Sequence, residues 1–224
     1  MGFYRGANVV TDGLILSIDA ANPRSYISGS TIWRDLASNL TGSLISASFD
    51  SANGGSIVFN GTSTYGDFGR YPAIEAIPAI SICHWVKLAE TGSLPNGPFL
   101  FNTWFPDVVF LPYQFSMNVN DTTFQNSSFL TSLVPLSQWF FACGTYDGDK
   151  CRIYMNGVLM ATSPSSVPGV TPTGTNLLLL GRKSAAAPLG YLSGSIATGL
   201  IYTKALSQSE ILQNYNATKA RFGL

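Results

Sequence analysis

Four kinds of side chain in this sequence could carry chemistry, and each is weighed by what stands near it. Glycoside hydrolysis needs two carboxylates roughly 5 to 9.5 Å apart across a sugar ring. The three glutamates, Glu75, Glu90 and Glu210, fall in a loop, at a strand end and at a helix cap, with no partner at strand spacing. His84 is the only histidine, so a triad or a metal site would have at most one imidazole. It stands in the run Ile82, His84, Val86, Leu88, whose alternation places all four on one strand face. That is the pattern of a hydrogen-bonded core histidine. A non-enzymatic protein is expected.

Binding chemistry is better supplied. A sugar can be held without metal by an aromatic ring against the apolar face of a pyranose, edged by amide and carboxylate groups. Asn102, Trp104, Phe105, Asp107 and Tyr113 bring these types into one loop-rich stretch, and they are the candidate glycan site.

The elements that must position these groups are strands. To about Thr203 the chain alternates short apolar runs with Gly, Pro, Asn and Asp, which predicts antiparallel strands and hairpins. The expected strands are 13–19, 56–60, 80–88, 99–104, 114–119, 139–146, 150–155, 177–181 and 192–202. So many strands with almost no helical periodicity predict an all-β sandwich or barrel in one domain covering 1–224. Residues 1–12 are expected to form an N-terminal arm. Asp147-Gly148-Asp149 and Asn156-Gly157 supply turns that join three strands into a meander. Residues 162–175 read as a long loop. Ser207-Gln-Ser-Glu210 is a capping box, and Ile211, Leu212 and Tyr215 follow on one face, so a helix over 207–217 is expected to cover one end of the sandwich.

Only 11% of residues are charged, against roughly 25% in a typical soluble domain. The surface must be covered by neutral polar side chains, which resist self-association poorly. Packing against partner proteins, and a homo-oligomer, are expected. With a formal net charge of +0 and no basic run, the field that holds a phosphate backbone is missing, and nucleic acid is excluded as a partner. No apolar run approaches the ~20 residues of a membrane helix, and the opening residues lack the apolar core of a signal peptide. Membrane insertion is not expected. Three cysteines, Cys83, Cys143 and Cys151, cannot all be paired. A turn at 147–149 sets Cys143 opposite Tyr154 or Ile153 rather than Cys151, so free thiols in a reducing compartment are expected.

Several stretches together resemble the concanavalin A-like lectin/glucanase superfamily in its laminin-G-like jelly-roll branch. They are 13–23 (GLILSIDAANP), 33–36 (WRDL), 55–61 (GSIVFNG), 82–87 (ICHWVK), 139–148 (WFFACGTYDG), 153–157 (IYMNG) and 201–207 (IYTKALS). The resemblance implies a two-sheet antiparallel jelly-roll sandwich with one short C-terminal helix, in which Trp33, Trp85 and Trp139 take core positions. No cofactor is expected, although domains of this branch hold calcium at the sandwich rim with hard oxygen ligands and a site of that kind stays open here. Candidates are Asp67, Asp107, Asp121, Asp147 and Asp149, of which Asp147 and Asp149 are more simply turn formers. Relatives carry Asp where this chain has Asn60, and Asn-Asp at Ser63-Thr64, which thins the carboxylate cluster. The Glu-x-Asp-x-Glu triplet of glucanase relatives is absent.

Tyr4-Arg5-Gly6, the run from Val10 to Leu14, and the closing 210–216 with Arg221-Phe222 resemble virion proteins of tailed phages, including cyanobacterial ones. This implies a protein made in a bacterial cytoplasm and mounted on the virion surface, at the capsid, neck, tail or fibre. Other virion proteins would be its partners and a cell-surface glycan its possible ligand. The competing class is a free carbohydrate-binding module or a relative of the glycoside hydrolases.

Overall fold

A computed structural model describes residues 8–74, 78–89, 134–163, 166, 177–182 and 190–224 with their side chains, and the backbone of 99–102, 107–111, 114–118 and 127–130. The strands are β1 (Leu14–Asp19), β2 (Ile32–Arg34), β3 (Thr41–Ile45), β4 (Ser48–Asp50), β5 (Ser56–Asn60), β6 (Tyr65–Arg70), β7 (Ile80–Leu88) and β8 (Phe99–Asn102). They continue as β9 (Asp107–Leu111), β10 (Gln114–Asn118), β11 (Ser127–Leu130), β12 (Trp139–Tyr146), β13 (Cys151–Met155), β14 (Val158–Thr162), β15 (Leu177–Leu180) and β16 (Ser193–Tyr202), and helix α1 (Gln208–Thr218) follows. The first sheet runs β14-β13-β12-β7-β16-β5-β4, with β1 also paired to β16, and the second runs β11-β10-β9-β8-β15-β6-β3-β2. All pairings among these strands are antiparallel. The expected two-sheet sandwich is present.

Alternation along β7 divides its side chains between two cores. Ile80, Ile82, Val86 and Leu88 face the second sheet, where they meet Leu44, Phe68, Leu178 and Leu180. Trp33 is fully buried in the same core, as the family pattern implies. Cys83 and Trp85 point the other way, into a second apolar layer with Phe141, Cys143, Leu200 and Tyr202. Burying a large apolar side chain contributes about 1.5–3 kcal/mol, so a sheet apolar on both faces must be covered on both. Here α1 lies across that outer face with Ile211, and Phe222 stacks on Trp85 at 4.1 Å. The helix therefore covers a sheet face and not an end of the sandwich. The capping box itself forms as read, with Ser207 as N-cap and Glu210 returning to the Ser207 backbone N–H at 2.8 Å.

A ring of hydrogen bonds ties this cover down. Val10 N–H donates to Asn214 Oδ1 at 2.8 Å, Asn214 Nδ2 donates to the Tyr202 hydroxyl at 3.0 Å, and that hydroxyl donates to the Val10 carbonyl at 3.0 Å. Burial pushes the Tyr202 hydroxyl up to about 12, so it keeps its proton. The N-terminal segment, the helix and β16 are joined at one buried point.

Cys83 and Cys143 stand directly opposite one another on β7 and β12 and form a disulfide, with a Cα–Cα distance of 4.1 Å. This corrects the expectation of three free thiols; Cys151 lies outside the disulfide and is buried. The hairpin register does set Cys143 opposite Tyr154, as expected. The missed pairing joins strands 60 residues apart in sequence, beyond the reach of turn geometry. Denatured, unreduced protein is expected to show one reactive thiol, and reduced protein three. Asn214→Ala strands two buried partners and is expected to cost about 2–4 kcal/mol in urea unfolding.

Candidate functional site

Two groups able to move a proton, His84 and Glu210, are held by the fold. His84 is 0% exposed in the inner core, where burial lowers its pKa to about 3, outweighing the opposing effect of the Thr198 backbone. It stays neutral at physiological pH and reaches no substrate. Glu210 accepts from Lys204 Nζ at 2.7 Å, and this hydrogen bond, ahead of the Ser207 contacts, holds its carboxyl below the usual range. Glu75 and Glu90 lie outside the described residues.

Of the glycan-site candidates, Trp104, Phe105 and Tyr113 lie outside the described residues. Asn102 and Asp107 are directly opposite one another in the β8–β9 pairing, and Asn102 also pairs with Leu179, so the backbone brings these two together on the second sheet. For the calcium candidates, Asp147 and Asp149 lie in the turn between β12 and β13, while Asp67 lies on β6 of the other sheet. Asp147 Oδ1 accepts the backbone N–H groups of Asp149 and Lys150 at 3.0 and 2.7 Å, and Oδ2 meets Arg152 at 2.5 Å. Asp149 accepts from the Ser166 hydroxyl, and Asp67 from the Gly69 N–H at 2.8 Å. Among the described residues no group of three or more His, Cys, Asp or Glu side chains is placed to hold an ion. Asp107 is described in its backbone alone, and Asp121 lies outside the described residues.

The geometry that does form a site was not singled out from the sequence. Directly opposite residues of an antiparallel sheet share a face, and one such row crosses the outer surface of the first sheet: Ser48, Val58, Ser195, Lys87, Trp139. Beside it opens a groove of about 320 Å³ lined by Val58, Lys87, Ala89, Ser137, Ser193 and Ser195 among others. Lys87 Nζ sits 5.4 Å from the centre of the Trp139 ring, a cation–π arrangement, and among the described residues it meets no carboxylate. Trp139 is only half-buried, unlike Trp33 and Trp85, and its indole N–H donates to Asn53 Oδ1 at 3.2 Å. Ser137 adopts a left-handed φ of 58° and is held by its N–H to the Leu88 carbonyl at 2.7 Å. The volume is at the lower end of ligand sites, enough for one or two sugar rings. Hydroxyls, one cation, an apolar wall and a neighbouring indole are groups that can bind a ligand.

Residues 60–212 match the family model described as the concanavalin A-like lectin/glucanases superfamily. The chain belongs to that superfamily. No curated protein matches it in sequence. Solved structures similar to this superfamily member include the binding domain of Paraclostridial Mosquitocidal Protein 1, at 15% identity and a TM-score of 0.69 over 92% of this chain and 52% of that one. The binding domain of Botulinum Neurotoxin DC in complex with SialylT matches at 15% and 0.68, over 93% and 52%. Domain 4 of AbnA, a GH43 extracellular arabinanase from Geobacillus stearothermophilus, in complex with arabinotriose, matches at 17% and 0.62, over 90% and 98%. The chain thus spans about half the length of the toxin chains. At these identities the likeness establishes the lectin-like fold.

The buried histidine of this lectin-like domain has a measurable consequence. Its folded pKa lies below the unfolded value of 6.5, so the unfolded state binds the extra proton. Its contribution to stability is complete above about pH 6.5 and falls by about 1.4 kcal/mol per pH unit as pH drops towards 3. His84→Gln is expected to flatten the pH dependence of urea unfolding between pH 6 and 4.5 by that slope.

Proposed function

We propose that the chain is a non-enzymatic binding and assembly domain of a tailed-phage virion, mounted on the capsid, neck, tail or a fibre and recognising a cell-surface glycan. The observation that carries the binding part is the outer-face groove on a lectin-like sandwich: Lys87 and three serines beside an apolar wall, with the Trp139 ring next to Lys87 and with His84 and Glu210 both committed elsewhere. The two solved neighbours in complex with SialylT and arabinotriose support the same reading. The virion part rests on the resemblance of the two chain ends to phage virion proteins and on the weakly charged composition, which suits packing against other subunits.

Two places are offered for the sugar, the groove at Lys87 and the stretch containing Trp104. Wild-type protein is expected to give signal on a glycan array. A tenfold or greater loss in Lys87→Ala assigns the sugar to the groove, and the same loss in Trp104→Ala assigns it to that stretch. An array blank for all three proteins overturns glycan recognition. Mass spectrometry of purified particles is expected to find the chain at fixed stoichiometry, and its absence would overturn the assembly role.

A further inference from the structure

Just past the end of β15 an arginine is buried with no counter-charge among the described residues. Arg182 is only 8% exposed, and its guanidinium lies 3.7 Å from the centre of the Tyr65 ring. Nη1 reaches the Tyr191 hydroxyl at 3.4 Å, a long contact for a hydrogen bond, and Nε is buried with no partner. Among the described residues no carboxylate pairs with it. Asp67 shares the outer face of β6 with Tyr65, two residues along, and accepts the Gly69 N–H at 2.8 Å.

The fold holds this arginine in place. Gly181 has a φ of +80°, and a Cβ there would come within 2.5 Å of the Phe59 ring, so glycine is required for the turn that carries Arg182 over Tyr65. The Gly181 carbonyl accepts from Leu192 N–H at 2.8 Å, and the Leu192 carbonyl accepts from Gly61 N–H at 2.8 Å. These bonds hold Tyr191, Arg182 and the turn after β5 at one rim. Thr62 and Ser63 are exposed on that turn, whose backbone N–H groups are gathered onto Asn60 Oδ1 at 3.0 and 2.9 Å.

A guanidinium removed from water is costly unless an anion pairs with it, and its planar edge of N–H donors matches a carboxylate bidentately. We propose that Arg182, Tyr65 and Tyr191 form a binding subsite for the carboxylate of an acidic sugar, with the tyrosine rings against the sugar body. A carboxylate accepts two parallel charge-assisted bonds from one guanidinium edge, and two half-buried tyrosines with neighbouring hydroxyls suit a polyhydroxylated ring better than a bare ion. This subsite depends neither on the virion reading nor on the Lys87 groove.

The test is titration of the folded protein with glucuronate, glucose and inorganic phosphate, followed by NMR shift changes and calorimetry. The expected result is saturable binding of glucuronate, at least tenfold tighter than glucose or phosphate. Arg182→Lys should lose tenfold or more, and Tyr191→Phe several-fold. Asp67→Asn, which removes a like charge from the same face, should tighten binding. No saturation with glucuronate overturns the proposal, as does equal binding of phosphate, which would make the subsite a simple anion site. Should Arg182→Lys fail to fold, the wild-type selectivity and the Tyr191→Phe and Asp67→Asn effects decide the matter.

Discussion

The structure depends on one constraint: the three central strands of the first sheet, β12, β7 and β16, are apolar on both faces. Ile82, Val86, Phe140 and Ile201 demand an inner cover, which the second sheet provides. Trp85, Phe141, Leu200 and Tyr202 demand an outer one, which α1, the tail at Phe222 and the segment at Val10 provide. A standard sandwich leaves the outer face of each sheet to water. Here the helix and both terminal segments are drawn onto that face, and the Val10–Asn214–Tyr202 ring fixes them there.

The same constraint shapes the groove. Cover by the helix and tail reaches Trp139 through Phe222, at 4.9 Å between rings, and the sheet beyond it carries the polar end of the row. Where apolar cover gives way to Lys87 and Ser195, an uncovered hollow remains beside a half-buried indole. The proposed ligand surface and the structural cover are two parts of one sheet face, separated by a single cross-strand step.

Much of the fold was legible in the sequence because period-two alternation, Asp-Gly and Asn-Gly turns and the capping box are local signals. The positive φ of Asn156 and Gly157, 52° and 81°, shows the Asn-Gly turn working as read. What escaped was non-local. The disulfide joins strands made neighbours by sheet order, and the Lys87 row draws one residue from each of five strands; no spacing along the chain encodes either. The helix was identified and its docking face was not, since amphipathicity tells which side is apolar and not what meets it. The β7 segment carried the clue: Ile80 to Leu88 has apolar residues at both parities, the mark of a strand covered twice. Trp139, read as core with Trp33 and Trp85, differs from them because it lies at the edge of the cover.

The account's central claim is that this domain works by presenting its outer first-sheet surface to a ligand while mounted in a larger assembly. Cryo-electron microscopy of native particles tests it most directly. The account requires density for this sandwich on the particle exterior, with an interface above ~1,000 Å² elsewhere on the domain and the Lys87 groove open to solvent or ligand. Particles lacking the domain, or a domain whose groove is sealed against a neighbouring subunit, would contradict it.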